Sequence, residues 1–187
     1  DEPSKPVKKE EIIYINTDIP KVSYNIKISA NDIKSVDRRK LNLYLYIIFN
    51  TLIDESSLFD EEAKKNRIIS STTFIDVLNT DDYVLVSLLN EVQKPDEFLE
   101  SLNKLFKKID ITEEDLERKK KVLYSNELYT YDNVESINQM ILDNIIFDNT
   151  LNSNVFNVID SLNIKELKEI LKNIDLSNYY SIIIKKK

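Results

Sequence analysis

Three carboxylate clusters, two hydroxyl clusters and one basic run are the places where this chain could do chemistry. Asp54-Glu55, Asp60-Glu61-Glu62 and Glu113-Glu114-Asp115 offer hard oxygen ligands of the kind calcium or magnesium takes. A calcium-binding helix–loop–helix needs alternating ligands, a central Gly turn and a terminal Glu, and no window of the sequence has that pattern. Carboxylates in the first turn of a helix are favoured by its dipole alone, so capping and solvation is the reading these clusters support. Ser56-Ser57 and Ser70-Ser71-Thr72-Thr73 are the dense hydroxyl clusters. With no His to act as base, a Ser nucleophile would need Lys, and neither cluster has a Ser-x-x-Lys spacing. That spacing occurs at Ser101–Lys104, inside an amphipathic helical pattern. Capping for the first cluster and a solvent-facing strand for the second are expected instead. The run Arg118-Lys119-Lys120-Lys121 reads as a solvated helix face or a docking patch.

Absences narrow the chemistry further. His, Cys, Gly and Trp do not occur in the 187 residues. Without His or Cys there is no imidazole base, thiolate nucleophile or nitrogen or sulfur metal ligand. Without Gly there is no phosphate-cradling loop, because such loops use backbone conformations only Gly adopts freely. A net charge of −7 speaks against a nucleic-acid partner. The apolar stretches, such as Leu41–Phe49, are interrupted by Asn and too short to span a bilayer. Zero Cys excludes a disulfide framework and is compatible with the cytosol. The 20 Asn are expected to serve as caps and left-handed turn residues in place of Gly. The ten Tyr read as core and rim packing, with a peptide-binding platform as the rival.

The elements that would position these residues follow from hydrophobic periodicity. Residues 1–10 are polar with two prolines and read as a linker. Ile12–Ile15 reads as an opening strand. Lys21–Ser29 alternates strictly, with Val22, Tyr24, Ile26 and Ile28 on one side. Leu41, Leu45, Ile48 and Leu52 predict a long central helix over about Lys34–Ile53. A short charged helix over Ser57–Arg67, capped by Ser56 or Ser57, precedes two β-rich runs, Ile68–Leu78 and Tyr83–Val92. Asn79-Thr80-Asp81-Asp82 would join them as a hairpin without Gly. Helices are predicted from Pro95, from Thr112 to about Tyr129, along Val134, Ile137, Ile141 and Ile145, and from Asn163 to about Asn173. Tyr179–Ile184 closes the chain as a strand. The expectation is an α+β fold, an antiparallel-rich sheet with helices packed on one face.

One segment is more specific. Leu52-Ile53-Asp54-Glu55-Ser56-Ser57-Leu58-Phe59, between a long apolar helix and a short charged one, resembles a signature of the pitrilysin/insulinase metallopeptidases. Ile109-Asp110-Ile111-Thr112-Glu113-Glu114-Asp115-Leu116 is similar to that family's helix start with its basic continuation, and Asp132–Ile137 and Leu162–Leu167 follow in the family's order. The resemblance spans about residues 20–185, and points to a bacterial subgroup of processing-peptidase-like proteins of the Gram-positive type. It implies homologous α+β halves that close around an unfolded peptide, the first carrying an inverted zinc motif, His-x-x-Glu-His, in its long helix. This chain has no His in that helix and so looks like the second, non-catalytic half. Residues 1–11 would be the linker from a preceding half and 12–187 a single peptidase-like domain, the start at Asp1 being a cut within a longer protein. Zinc is expected only in the catalytic half or a partner, never here. The implied partners are that homologous half and an extended or unfolded polypeptide, in the cytoplasm, with neither nucleic acid nor membrane.

Two departures bear on the site. The family's turn before the paired serines usually has Gly, where this chain has Asp54-Glu55. The Arg of the short helix and the Tyr of the next strand, which help grip substrate, fall at Ala63 and Ser70 and are missing. Peptide contact is assigned instead to Ser70 and Thr72. A self-standing interaction module is the alternative from another class, and a carboxylate-only magnesium enzyme a third.

Overall fold

The computed structural model describes residues 9–33, 37–80, 82–148 and 154–187. Five strands form one sheet: β1 (Lys9–Ile15), β2 (Lys21–Ser29), β3 (Phe74–Asn79), β4 (Tyr83–Glu91) and β5 (Tyr179–Lys186). The order across the sheet is β1-β5-β2-β4-β3, antiparallel except where β1 runs parallel to β5. Among the described residues seven α-helices accompany it: α1 (Arg38–Ile53), α2 (Leu58–Lys65), α3 (Pro95–Lys107), α4 (Glu113–Thr130), α5 (Val134–Asp148), α6 (Val155–Ser161) and α7 (Ile164–Asn173). This is the α+β arrangement the periodicities predict.

Period two decides which face of the sheet is core. Val22, Tyr24, Ile26 and Ile28 of β2 lie beside Val84, Val86 and Leu88 of β4 and Ile183 of β5, all fully or nearly fully buried. Against them sit α1, through Tyr44, Leu45, Ile48 and Phe49, and α3, through Phe98 and Leu102. The α1 stripe Leu41, Leu45, Ile48, Leu52 is buried as its spacing requires, and Tyr44, Ile47 and Ile53 are buried as well. A helix apolar on so many sides belongs at the centre of a domain. The helix begins at Arg38 with Asp37 as its cap, while the predicted opening turn at 34–36 lies outside the described residues.

Local chemistry sets the helix ends. Ser57 caps α2, and Thr112 and Asp115 complete a reciprocal capping box at the start of α4. At α7 the side chain of Asn163 accepts from the Glu166 N–H. The Asn163 N–H is taken by the Tyr44 hydroxyl at 2.8 Å, which donates onward to the Glu166 carboxylate at 2.8 Å. The start of α7 is thereby tied to the middle of α1. Burial pushes the Tyr44 phenol above its ordinary range, so it acts as a neutral relay.

The expected Asn-for-Gly substitution at left-handed positions is not what the chain does. Among the described residues the one positive φ belongs to Arg67, at 54°. There α2 ends in a Schellman motif: Ile68 N–H reaches the Ala63 carbonyl and Arg67 N–H the Lys64 carbonyl, at 2.8 and 3.0 Å. Elsewhere α1, α6 and α7 run straight into extended residues, Asp54, Leu162 and Ile174, which need no Gly. Asn serves at the other ends, capping α6 and α7 through Asn154 and Asn163. A non-Gly residue in the left-handed region costs about 1–2 kcal/mol, against a smaller entropic penalty for Gly. Arg67→Gly is therefore expected to stabilise the domain by about 0.5–1 kcal/mol. Urea denaturation checks it, with Arg67→Ala as a control that keeps the Cβ and gains nothing.

Candidate functional site: an open sheet face

The helices named above cover one face of the sheet, and the opposite face is half-buried or exposed throughout. Register places its residues in rows. Phe74, Leu89, Ser23 and Ile182 lie side by side across β3, β4, β2 and β5, with Glu91, Lys21 and Ile184 in the next row. Lys21 and Glu91 form an ion pair at 2.9 Å. Phe74 is 63% exposed, an unusual cost for an aromatic ring with no covering element. These side chains line a shallow groove of about 430 Å³ together with Thr72. It offers apolar surface and small hydroxyls, which suits an extended chain rather than acid–base chemistry.

The rim of the groove is made by the 70–73 segment, and here the structure corrects the expectation of a solvent-facing strand. Ile69 pairs with Val92, and Phe74 with Leu89. Four residues on one side thus oppose two on the other, and Ser70–Thr73 must loop out of the ladder. Asn90 pins the loop: its amide donates to the Ser71 carbonyl at 3.0 Å and to Thr73 Oγ1 at 2.8 Å. The Ser71 hydroxyl donates back to Asn90 Oδ1. A buried Asn thus satisfies backbone that the missing ladder leaves free.

The residues assigned from the sequence fall in different places. Thr72 lines the groove and accepts from the Lys64 ammonium at 2.9 Å. Ser70 is exposed in the same loop but is not part of the lining. Ala63 is buried, its methyl in the core beside Phe59 and Ile68. The sequence reading missed Phe74, Leu89, Ile182 and Ile184. The signal was present, since β4 and β5 are apolar on both alternating sets, more than a sheet covered on one face needs.

One carboxylate of each acidic cluster, Asp54, Asp60 and Asp115, is structural, while Glu55, Glu61, Glu62, Glu113 and Glu114 are exposed. Asp60 is only 2% exposed and pairs with Lys64 at 2.7 Å. Asp115 caps α4, and Ser101 bonds the Glu97 carbonyl of its own helix. The basic run is a solvated face only in part: Arg118 and Lys121 are exposed, while Lys119 and Lys120 turn inward. Lys119 falls on the α4 stripe with Leu116 and Leu123, is 4% exposed, and donates to the Asp54 carboxylate at the end of α1. Lys120 bonds the Asp160 and Leu162 carbonyls, tying α4 to the end of α6. Burial works against the charge on Asp54, but the Lys119 ammonium and Ser56 outweigh it and hold the carboxyl below its ordinary value. Glu127 is the opposite case: one of its oxygens is buried with no hydrogen-bond partner among the described residues, and burial raises its carboxyl.

Among the described residues nothing suits a zinc ion. The long helix α1, Arg38–Ile53, offers no imidazole, thiolate or carboxylate along its length. Among the described residues no three carboxylates converge as metal ligands would. No helix among them is long and apolar enough to cross a membrane.

A five-stranded sheet with helices on one face, and a long buried α1 leading into a short charged helix, is a fold shared with solved structures described as M16-type peptidases and inactive peptidase domains. Solved structures have this fold. A structure described as an M16-like peptidase from Alicyclobacillus acidocaldarius matches 95% of this chain with a TM-score of 0.81 and 11% identity. An M16 inactive domain from Pseudomonas fluorescens matches all of it at 0.69 and 12%. The inactive peptidase domain of a zinc protease from Bordetella parapertussis matches 91% at 0.70 and 14%. What is shared at such identities is the fold. The chain spans 43% of the first structure, 46% of the second and 92% of the third. No protein-family model and no curated protein matches the sequence.

Proposed function

We propose that this chain is the non-catalytic half of a zinc-dependent peptidase or peptidase-like protein, packing against a homologous catalytic half and closing the chamber between them. The observation that carries this reading is the pairing of a near-complete fold match with a coverage of under half of several matched chains. Residues 1–11 would then join the halves, and 12–187 form the domain. Zinc would reside in the companion half. Extended peptide would lie on the open sheet face, against Thr72 and Phe74 with Ser70 beside the groove. The loss of the gripping pair at Ala63 and Ser70 makes this contact apolar and weak. A cytoplasmic location goes with this reading and suits a chain without Cys.

Two measurements test it. Purified residues 1–187, loaded with zinc and dialysed, are expected to retain far less than one equivalent and to leave casein uncut. Stoichiometric zinc or proteolysis would sink the proposal. The source DNA decides the rest. A homologous half encoded upstream of Asp1, or as a partner subunit, is the expected result, and its absence from the genome would leave only the interaction-module alternative.

A further inference from the structure

The two edges of the sheet differ. At the β3 edge the Arg38 guanidinium donates to the Asn79 carbonyl at 2.8 Å, and Asp143 and Asn144 of α5 line one cavity with Val77 and Leu78. At the other edge β1 pairs with β5 alone among the described residues. The Ile15 carbonyl accepts from the Lys187 N–H at 3.0 Å, so the backbone groups of Ile15, Ile13 and Glu11 face β5. Backbone direction alternates along a strand, and the N–H and C=O groups of Glu10, Ile12 and Tyr14 therefore point away from the sheet. Neither a bulge nor a Pro blunts this edge. Ile12, Ile13, Tyr14 and Ile15 are 41%, 39%, 60% and 44% exposed, on both faces of the strand. The helix layer stops short of β1, because Ile12 stands beside the buried Ile183 and is itself open.

An open backbone ladder is satisfied by another strand, and apolar side chains on both its faces by apolar neighbours. A second copy of β1 supplies both. In a two-fold contact within one sheet the strands run antiparallel and opposed residues share a face, so the register is centred on one residue. Centred on Ile12, it would set Glu10 and Glu11 against Tyr14 and Ile13, carboxylates against the most apolar part of the strand. Centred on Ile13, it sets Ile13 against its own likeness, Ile12 against Tyr14, Glu11 against Ile15 and Glu10 against Asn16. The outward groups of Ile12 then bond those of Tyr14 in the other copy, twice by symmetry. Ile13 takes the non-hydrogen-bonded position, where facing side chains come closest. No like charges are opposed in this register, and the row of Glu11 runs through Ile15 to Lys186 of the other copy, a charge of opposite sign. On the open face, Ile184 and Ile13 of both copies form one row. We propose that β1 is the contact between two copies of this chain, joined edge to edge into one continuous sheet. This goes beyond the companion-half reading and does not depend on it.

The natural protein, with any companion it carries, is purified and its mass followed by sedimentation over about a hundredfold dilution. A single strand pairing is a small interface, so a reversible dimer is expected at micromolar concentration. Ile12→Pro removes one outward N–H and leaves the β5 ladder intact, since that N–H faces away from β5. It should raise the dimer dissociation constant at least about tenfold, while Ile12→Val leaves it within about twofold. Ile13→Cys should form a disulfide between copies on mild oxidation, and Ile12→Cys, opposed to Tyr14, should not. Mass spectrometry of the linked peptides reads both. A particle holding one copy at every concentration would overturn the proposal, as would linkage of position 13 to a different chain. So would a dimer insensitive to Ile12→Pro and unlinked at position 13, which would place the contact elsewhere. Circular dichroism checks the fold of each variant, and if Ile12→Pro does not fold, the two Cys variants decide.

Discussion

Asp54→Ala is expected to lower stability by about 3 kcal/mol at neutral pH. The mutation leaves the Lys119 ammonium buried on the α4 stripe between Leu116 and Leu123, and its carboxylate acceptor is gone. The reverse change, Lys119→Met, should be milder, about 1 kcal/mol, because Asp54 keeps its bonds from Ser56 and retains access to water. Combining the two should recover most of the loss of Asp54→Ala, since a buried charge is then no longer stranded. The pair also predicts a pH dependence. The folded state holds the Asp54 carboxyl below its ordinary value, so the unfolded chain binds the proton more readily. The contribution is complete above the ordinary carboxylate range, and it is lost progressively as pH falls from there through the lower value of the folded state. Urea midpoints at pH 7 and at pH 3 check this: the wild type should lose more on acidification than Lys119→Met. Equal losses would remove the pair from the account of acid sensitivity.

Phe49→Ala should be as damaging, about 3–5 kcal/mol, for an apolar reason. Phe49 has no exposed surface and sits edge-on to Phe106 with ring centroids 6.0 Å apart, joining α1 to α3 over the sheet. The void that truncation leaves is bordered by side chains held on three different elements, so it closes poorly. Phe49→Leu keeps most of the volume and should lose only about 1.5 kcal/mol. Thermal unfolding by circular dichroism measures both. A loss under about 1 kcal/mol for the alanine variant would mean that the α1–α3 contact relaxes freely, contrary to close packing.

Much of this architecture was legible in advance, and the legible parts share a cause. The strict alternation of β2, the α1 stripe and the caps at Ser57, Thr112 and Asn163 are local patterns, set by bonds within a few residues. The misread parts depend on what lies opposite. Ser70–Thr73 reads as strand because its composition is strand-like. Only the distant Asn90, in β4, reveals that two extra residues must loop out there. Arg118–Lys121 reads as surface because four adjacent cations rarely enter a core, and Arg118 and Lys121 are exposed, yet 100° per residue sends Lys119 inward and Lys120 toward α6. The stripe Leu116, Lys119, Leu123 carried that information at helical spacing, and charge density hid it. The short helix α6 has too few residues for a period to stand out, and the sequence reading did not name it.

For the candidate site the division is sharper. The missing His, Cys and Gly and the lack of any carboxylate in α1 are properties of composition, so the sequence alone determined that this chain holds no zinc motif and no phosphate loop. Tertiary structure decided that β5 would insert between β1 and β2, placing Ile182 and Ile184 beside Ser23, Leu89 and Phe74. It also decided that Val134, Leu142, Ile145 and Ile146 of α5 would face outward and that Lys119 would meet Asp54. Each of those outcomes joins residues far apart along the chain, and local propensity carries no term for such a pairing. It is settled by which apolar faces can be buried together at once.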